Sequence, residues 1–391
     1  MSNDKPGLGI GMVGYAFMGA AHSQAWRTAP SFFDLPLAPR LAAICGRDAN
    51  AAATVAERFG WQSVETDWRS LLSRDDIDVI DICTPGDTHA EIAIAALEAG
   101  KHVLCEKPLA NTVEEAEAMA AAAAEAAKRG VRAMVGFTYR RVPAVALARQ
   151  LVASGRLGTI RHVRGQYLQD WLADEDAPLS WRLDKAKAGS GALGDIGAHI
   201  IDMAQFVTGS SLTSVAGLLE TFVDSRPVAG EHATLGGSGG GGERGPVTVD
   251  DATAFTGRFS NGALGVFEAT RFATGRKNAI RLEINGSDGS LAFDFEDMNV
   301  LEFFDATQPA AEAGFRRIIV TEADHPYVAG WWPPGHGLGY EHAFTHQVVD
   351  LVTDIAKGAD PSPSFADGLA VQRVLAAIEA SASSGTTERI S

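Results

Sequence analysis

Along the first third of the chain, short apolar runs alternate with stretches whose apolar residues recur every three to four positions. Leu8–Gly14 reads as a strand and Met18–Arg27 as a helix. Leu41–Cys45 and Ala49–Phe59 repeat the pair, as do Ile77–Cys83 with His89–Ala99, and His102–Cys105 with Thr112–Arg129. Val131–Phe137 is a further strand. Asn111 or Thr112 opens the alanine-rich helix and Gly130 stops it. Strands that are apolar on both faces and separated by helices predict a parallel sheet covered on both sides. Pro30, Pro36 and Pro39 predict an extra loop between the first helix and the second strand.

After about Tyr139 the pattern changes. One helix is expected over Val145–Ser154. Strand-like runs follow at Ile160–Leu168, Val215–Phe222, Val247–Phe259, Ala263–Ala269, Ala279–Ile284, Leu291–Phe295 and Val300–Phe304. Turn residues such as Asn261-Gly262 and Ser287-Asp288-Gly289 separate several of them, which predicts a largely antiparallel sheet. Two helices, Gly339–Ile355 and Phe365–Ala382, close the chain. Leu235–Pro246 is dominated by glycine and reads as a flexible surface loop. The expected architecture is α/β: a dinucleotide-binding Rossmann domain over 1–138, and an α+β domain over 139–391 with an open, mainly antiparallel sheet for substrate binding and oligomerisation.

Composition narrows the possible partners. A chain of 391 residues with 46% hydrophobic and 21% charged residues fills two ordinary domains. A formal net charge of −16 excludes nucleic acid and anionic membrane as expected partners, because both repel an acidic surface. Cys45, Cys83 and Cys105 show no CxxC spacing and read as apolar filler in a reducing cytoplasm. No apolar run reaches membrane-span length. Leu8–Ala21 is apolar and follows Lys5 as in a secretory leader, but its glycines and strand–turn–helix context argue against one.

Chemistry enters where the first strand hands over to a helix. Gly14-Tyr15-Ala16-Phe17-Met18-Gly19 is a G-x-A-x-x-G form of the phosphate-binding turn. Its first glycine permits the tight turn, and small Ala16 lets backbone approach a pyrophosphate. Gly19 lets helix and strand pack closely, and the helix N-terminus faces the negative charge. At the end of the second strand, Gly46 stands where an acidic residue usually binds the ribose of NAD. Arg47 follows it, which points to NADP within an NAD(P) reading. The alternative is that Arg47 is solvated while Asp48 caps the next helix.

Glu106-Lys107-Pro108 follows the strand ending at Cys105, where open parallel sheets present ligand-binding loops. Asp195 and His199, four apart after a glycine-rich lead-in, share a helical face. A carboxylate, an imidazole and an ammonium supply what alcohol oxidation needs beside a nicotinamide. One accepts the hydroxyl proton, one stabilises the alkoxide, and one orients the substrate.

The G-x-A-x-x-G turn, Thr84-Pro85 with His89, Glu106-Lys107-Pro108 and Asp195-x-x-x-His199, in this order, resemble the Gfo/Idh/MocA oxidoreductase family over nearly the whole chain. The resemblance implies catalysis by Lys107, Asp195 and His199. It implies a cofactor site including Gly14, Ala16, Phe17, Met18, Gly19, Thr84, Pro85, His89, Glu106, Trp181 and Arg182, and a cis peptide before Pro108. It also implies a homodimer or homotetramer built through the open sheet. Tyr167–Trp171, Leu179–Arg182, Gly189–His199, Val249–Asp251, Glu268–Arg271 and Pro363–Gly368 are similar to a branch of the family that oxidises an anhydro-sugar with NAD. The activity implied is oxidation of a secondary hydroxyl of a sugar, anhydro-sugar or cyclic polyol.

Other residues carry two readings each. Tyr139 and Arg140 follow the strand ending at Phe137, so Arg140 binds sugar oxygens or forms a salt bridge. Trp171 stacks on a sugar face or fills core. Asp202 orients the His199 ring or faces solvent. His342 and His346 share a helical face beside Glu341, but the order E-H-x-x-x-H is not a zinc signature, and no metal is expected. Two rival functions remain: a glycosidase that oxidises and re-reduces its substrate on a tightly held NAD, and a sugar or nucleotide sensor without catalysis.

Overall fold

The computed structural model describes residues 5–228 and 243–391. They form two compact units: Met1–Arg141 with Ala329–Trp332 and Leu338–Ala370, and Val142–Val328 with Pro333–Gly337 and Val371–Ser391. The first unit breaks after Arg141. The second domain was expected to run unbroken over 139–391, whereas segments 329–332 and 338–370 belong to the first unit.

In the first unit the strands are β1 (Gly7–Val13), β2 (Ala38–Cys45), β3 (Val64–Glu65), β4 (Val79–Ile82), β5 (His102–Cys105) and β6 (Ala133–Val135). They form a parallel sheet in the order β3-β2-β1-β4-β5-β6. The helices between them are α1 (Phe17–Phe32), α2 (Ala49–Phe59), α3 (Arg69–Leu72), α4 (His89–Glu98) and α5 (Val113–Ala127). The order reverses between β1 and β4, and a ligand crevice opens at the carboxyl ends of strands there. Thr112 starts α5 with a capping box, its hydroxyl accepting from the Glu115 N–H while the Glu115 carboxylate accepts from the Thr112 N–H.

The expected proline loop is shorter than predicted. Helix α1 runs on to Phe32 with Pro30 in its last turn, where a missing N–H breaks few helical bonds. Pro39 lies inside β2, at a position that β3 does not reach. Leu8–Ala21, the leader-like stretch, is β1, the turn and the start of α1.

The second unit holds α6 (Pro143–Ala153), β7 (Ile160–Leu168), α7 (Lys185–Ala188), α8 (Ala198–Thr208), β8 (Leu212–Glu220), β9 (Ser225–Pro227) and β10 (Arg244–Pro246). It continues with β11 (Ala252–Phe259), β12 (Leu264–Thr270), β13 (Ala279–Gly286), β14 (Gly289–Asp294), β15 (Val300–Asp305) and β16 (Arg316–Ile319). Then come α9 (Tyr340–Lys357), whose residues belong to the first unit, α10 (Phe365–Ser384) and β17 (Glu388–Arg389). Among the described residues the large sheet has nine strands in the order β16-β15-β14-β13-β7-β12-β11-β8-β17. Only the β7–β12 pairing in it is parallel. Alternate residues of β11 and β12 are buried, as a sheet covered on one face requires. Helices α6 and α8 pack against β7, β13, β14 and β15.

The glycine-dominated stretch is not all loop. Residues 235–242 of it lie outside the described residues, while Arg244–Pro246 pairs antiparallel with β9. The first unit's core also differs from expectation. Phe344, Val348, Leu351 and Val352 of α9 pack into a cluster with Trp26, Ile10, Met12 and Ile44. A helix some 200 residues beyond the sheet it covers cannot be assigned to that sheet from its own periodicity.

Candidate active site

The phosphate turn is built by close approaches. Gly14 has a φ of 101°, and a Cβ there would lie 2.8 Å from the Cys83 carbonyl oxygen. The carboxyl ends of β1 and β4 are therefore adjacent at the switch point. A Cβ on Gly19 would lie 2.3 Å from the Gly14 oxygen. Helix α1 begins with no capping side chain and no acidic residue in its first turn. Its leading N–H groups and dipole thus suit an anion, and the turn fits a dinucleotide pyrophosphate. Ala16 and Phe17 are exposed and Met18 is half-buried.

At the end of β2 the structure explains the missing carboxylate. A Cβ on Gly46 would lie 1.9 Å from the Tyr15 ring, so the ring occupies the space a larger residue needs. Arg47 is exposed. Asp48 caps α2, accepting from the N–H groups of Asn50 and Ala51.

Lys107 is half-buried, one residue past Glu106 after β5, and its bond to Pro108 is cis. Two contacts fix this loop. The Lys107 N–H donates to Glu106 Oε2 at 3.2 Å. His89, read above as a cofactor residue, is buried, its Nδ1 3.0 Å from the Pro108 carbonyl oxygen and its Nε2 2.9 Å from that of Thr84. It therefore ties the loop after β4 to the loop after β5. The Thr84 and Thr88 hydroxyls are hydrogen-bonded at 2.7 Å, and Pro85 precedes a short 3-10 turn.

Tyr139 is buried against Tyr340, their ring centroids 6.5 Å apart. Arg140 is 7% exposed and takes the salt-bridge option, to Asp367 at 3.4 Å, with Ser362 at 3.3 Å. His346 is buried with both nitrogens engaged: Nδ1 lies 2.9 Å from the Arg141 carbonyl, and Nε2 accepts from the Trp331 indole N–H at 2.7 Å. Burial pushes its pKa down to about 3. Nδ1 of His342 accepts the Gly339 N–H.

A cluster the motifs did not reveal lies beneath Lys107. His22, Asp81, Cys83 and Glu106 are all buried. The atoms of His22, Asp81 and Cys83 that can bind a metal lie within 4.8 Å of one another. They are already joined by their own hydrogen bonds, His22 to Asp81 at 2.9 Å and the Cys83 thiol to Asp81 at 3.5 Å.

In the second unit, Asp195 and His199 stand at the entry to α8, both half-buried among buried neighbours. The ordinary helical turn expected there is a π turn, Leu193–Gly197, a form frequent at functional sites. Asp250 anchors that turn. It is 7% exposed, and its carboxylate accepts the N–H groups of Gly191 at 2.6 Å and Leu193 at 2.7 Å. Burial nevertheless raises its pKa above the usual carboxylate value. Gly191 is obligatory, since a Cβ there would lie 1.7 Å from the Asp250 carbonyl oxygen. The fully buried Arg271 donates to that carbonyl and sets NH1 3.6 Å from the Asp195 carboxylate.

Around His199, the Tyr167 ring lies 5.9 Å away and its hydroxyl donates to Asn278. Gln169 donates to the same Asn278 oxygen and accepts from the Trp171 indole N–H. Trp171 is half-buried beside Leu172, Leu183 and Val249, with the Arg271 guanidinium 5.6 Å from its ring. Asp202 is buried, so it does not face solvent. Trp181 and Arg182 stack on each other in a 3-10 turn, 4.4 Å from guanidinium to ring. The glycine lead-in and the four-residue spacing led to Asp195 and His199; the resembling stretches include Gln169, Asp250 and Arg271 but gave them no role, and Asn278 was not marked at all. The signal available for Arg271 was its place in the resembling stretch Glu268–Arg271, directly after β12.

Comparison with known proteins follows the same division. Residues 8–137 match the oxidoreductase family with an NAD-binding Rossmann fold, and residues 145–292 match the GFO/IDH/MocA C-terminal domain. The levoglucosan dehydrogenase of Pseudarthrobacter phenanthrenivorans is 46% identical over 379 residues, covering 96% of each chain. A crystal structure of an oxidoreductase domain protein from Kribbella flavida is 71% identical, with a TM-score of 0.95, covering 99% of this chain and 100% of that one. A levoglucosan dehydrogenase solved with NADH and levoglucosan is 44% identical, with a TM-score of 0.92, covering 98% and 99%.

Proposed function

Because the chain belongs to the Gfo/Idh/MocA oxidoreductase family, we propose that it oxidises a secondary ring hydroxyl of an anhydro-sugar of the levoglucosan type, or of a closely related sugar or cyclic polyol. The observation that carries this reading is local. Lys107, Asp195 and His199 are each half-buried where their elements are otherwise closed, as polar groups must be to meet a substrate. A relative 46% identical over 96% of this chain bears the name of that activity.

A nicotinamide dinucleotide, when bound, supplies the hydride acceptor. Gly14, Ala16 and Gly19 with the α1 N-terminus hold its pyrophosphate. His199 takes the hydroxyl proton, Lys107 stabilises the alkoxide and Asp195 holds the sugar, kept in place by Arg271 behind it. Arg47 lets the adenosine end accept a 2′-phosphate, so NADP is used beside the NADH form bound by the relative. The enzyme works in the cytoplasm, where three buried, unpaired cysteines stay reduced. It assembles as a homodimer or homotetramer through the uncovered face of the nine-stranded sheet.

The test is a screen of anhydro-sugars, sugars and cyclic polyols with both dinucleotides, following absorbance of the reduced nicotinamide. Levoglucosan or a near relative should give net reduction. Product release without net reduction would instead mean a glycosidase, and no redox change with any compound would mean a sensor.

A further inference from the structure

We propose that His22 is a positioning residue of the reaction, clamped between Asp81 and Glu106 so that Glu106 fixes the loop carrying Lys107. This inference rests on the role given to Lys107 above.

Helix α1 places His22 on its buried face with Ala25, Trp26 and Ala29. Asp81 lies inside the apolar strand β4 and is 0% exposed, His22 is 1% exposed, and Glu106 is 4% exposed. Burying two carboxylates is costly unless each is paired. The pairing here is complete. Nδ1 of His22 lies 2.9 Å from Asp81 Oδ1, and Nε2 lies 3.0 Å from Glu106 Oε1. The Trp26 indole donates to Asp81 Oδ2 at 2.7 Å, and the Cys83 thiol turns to Asp81 Oδ1. The remaining Glu106 oxygen, Oε2, takes the Lys107 N–H. A continuous chain of hydrogen bonds therefore runs from Trp26 through Asp81, His22 and Glu106 to the backbone of Lys107.

Both ring nitrogens face carboxylate oxygens, and an imidazole donates from both nitrogens only when it carries a proton on each. Burial is the largest influence and disfavours that charged ring, but the charge and hydrogen bond of Asp81 together with Cys83 outweigh it and raise the pKa well above the ordinary value. The other titratable groups packed around the clamp stay neutral. Burial pushes the Cys83 and Cys105 thiols up, and the Tyr340 hydroxyl, beside Tyr139 and facing Glu106, is pushed up as well. From α9, the Phe344 ring meets the imidazole, 5.5 Å away. Gly136 also leaves the Glu106 carboxylate no slack, since a Cβ there would lie 2.7 Å from the Oε1 that faces His22. Loss of the cation would leave two carboxylates in a closed space and release Glu106 from its orientation. The backbone of Lys107 would then lose its anchor.

The test uses the full-length protein in two arms. In protein labelled with ¹⁵N-histidine, the His22 resonance, assigned by its loss in His22→Gln, should report both ring nitrogens protonated at about pH 8. A neutral ring there overturns the clamp. The second arm measures turnover with a sugar the wild type oxidises, and NADH binding by fluorescence. His22→Gln should lower kcat about tenfold or more and raise the primary deuterium isotope effect on kcat, because misplaced groups slow the chemical step. NADH affinity should stay within about threefold, since the phosphate turn is untouched. Unchanged kcat and isotope effect in a folded variant would overturn the proposal. Should His22→Gln not fold, Asp81→Asn, which keeps an acceptor for Trp26, carries the same expectations. If the wild type oxidises no sugar, the reading of Lys107 fails, and the ¹⁵N arm still decides the clamp.

Discussion

Single side chains show how burial decides protonation and how a missing carboxylate is explained. His346 is buried with a carbonyl on Nδ1 and an indole donor on Nε2, an arrangement only the neutral ring satisfies. Its pKa falls from 6.5 to about 3 on folding. The unfolded chain therefore binds the proton first as pH drops. Stability from this residue is whole above about 6.5 and is lost progressively toward 3. Replacing it with glutamine should shrink the difference in urea midpoint between about pH 7.5 and about pH 5; an undiminished difference would assign the acid sensitivity elsewhere. At the end of β2, Gly46 is dictated by the Tyr15 ring and Arg47 beside it is exposed; the cofactor use proposed above assigns Arg47 to the 2′-phosphate. Arg47→Glu should lower kcat/KM with NADP about tenfold or more and leave the value with NAD within about threefold. Equal losses with both would remove Arg47 from cofactor choice. The motif residues were visible in the sequence because glycine spacing and Glu106-Lys107-Pro108 are local patterns. His22 was not, because its partners Asp81 and Glu106 are 59 and 84 residues away. A histidine on an apolar helix face and an aspartate inside an apolar strand were the visible halves of that pairing.

At the scale of elements, periodicity located the regular pieces and missed their irregular ends. The bounds of α2 and of β5 and β7 fall where the pattern put them, since apolar runs and caps coincide there. The π turn at Leu193–Gly197 could not be read. It is made by tertiary contacts, chiefly the two N–H groups held by Asp250 and the packing of Gly191 on the Asp250 carbonyl. Asp250→Asn removes one of those acceptors and turns an amide N–H toward a backbone N–H. The variant should lose about 1–3 kcal/mol of stability. Its kcat should fall more than its NADH affinity, because the turn carries Asp195 and not the phosphate site. Calorimetry with steady-state kinetics checks this, and a variant of normal turnover would show that the turn holds Asp195 without Asp250. The short strands β9 and β10 escaped prediction because glycine and proline hide a strand whose only support is its neighbour.

On the scale of the whole molecule, the sequence foretold the two kinds of sheet but not the way the chain is shared between the units. Helix α9 returns to complete the first unit's core, a placement set by the partner surface and not by the helix's own pattern. In the second unit, helices cover one face of the nine-stranded sheet. On the opposite face Leu218 is 72% exposed and Val266 41% exposed. They stand beside charged residues of the same face, Arg164 being paired with both Val266 and Glu283, and the assembly proposed above would cover both kinds. Leu218→Asp should shift the mass in solution toward the monomer, as light scattering would show; an unchanged mass would put any assembly on another surface. Among the described residues, no helix is long and apolar enough to cross a membrane.

The function we propose is hydride removal from a sugar carbon, with Lys107, Asp195 and His199 assisting. The most direct measurement is a single turnover: protein in excess over levoglucosan, NAD present, absorbance of reduced nicotinamide followed in time. The wild type should form reduced nicotinamide in step with the sugar. Lys107→Ala and His199→Ala should slow the step about a hundredfold or more while binding NADH nearly as well. Wild-type rates in either variant would contradict the account.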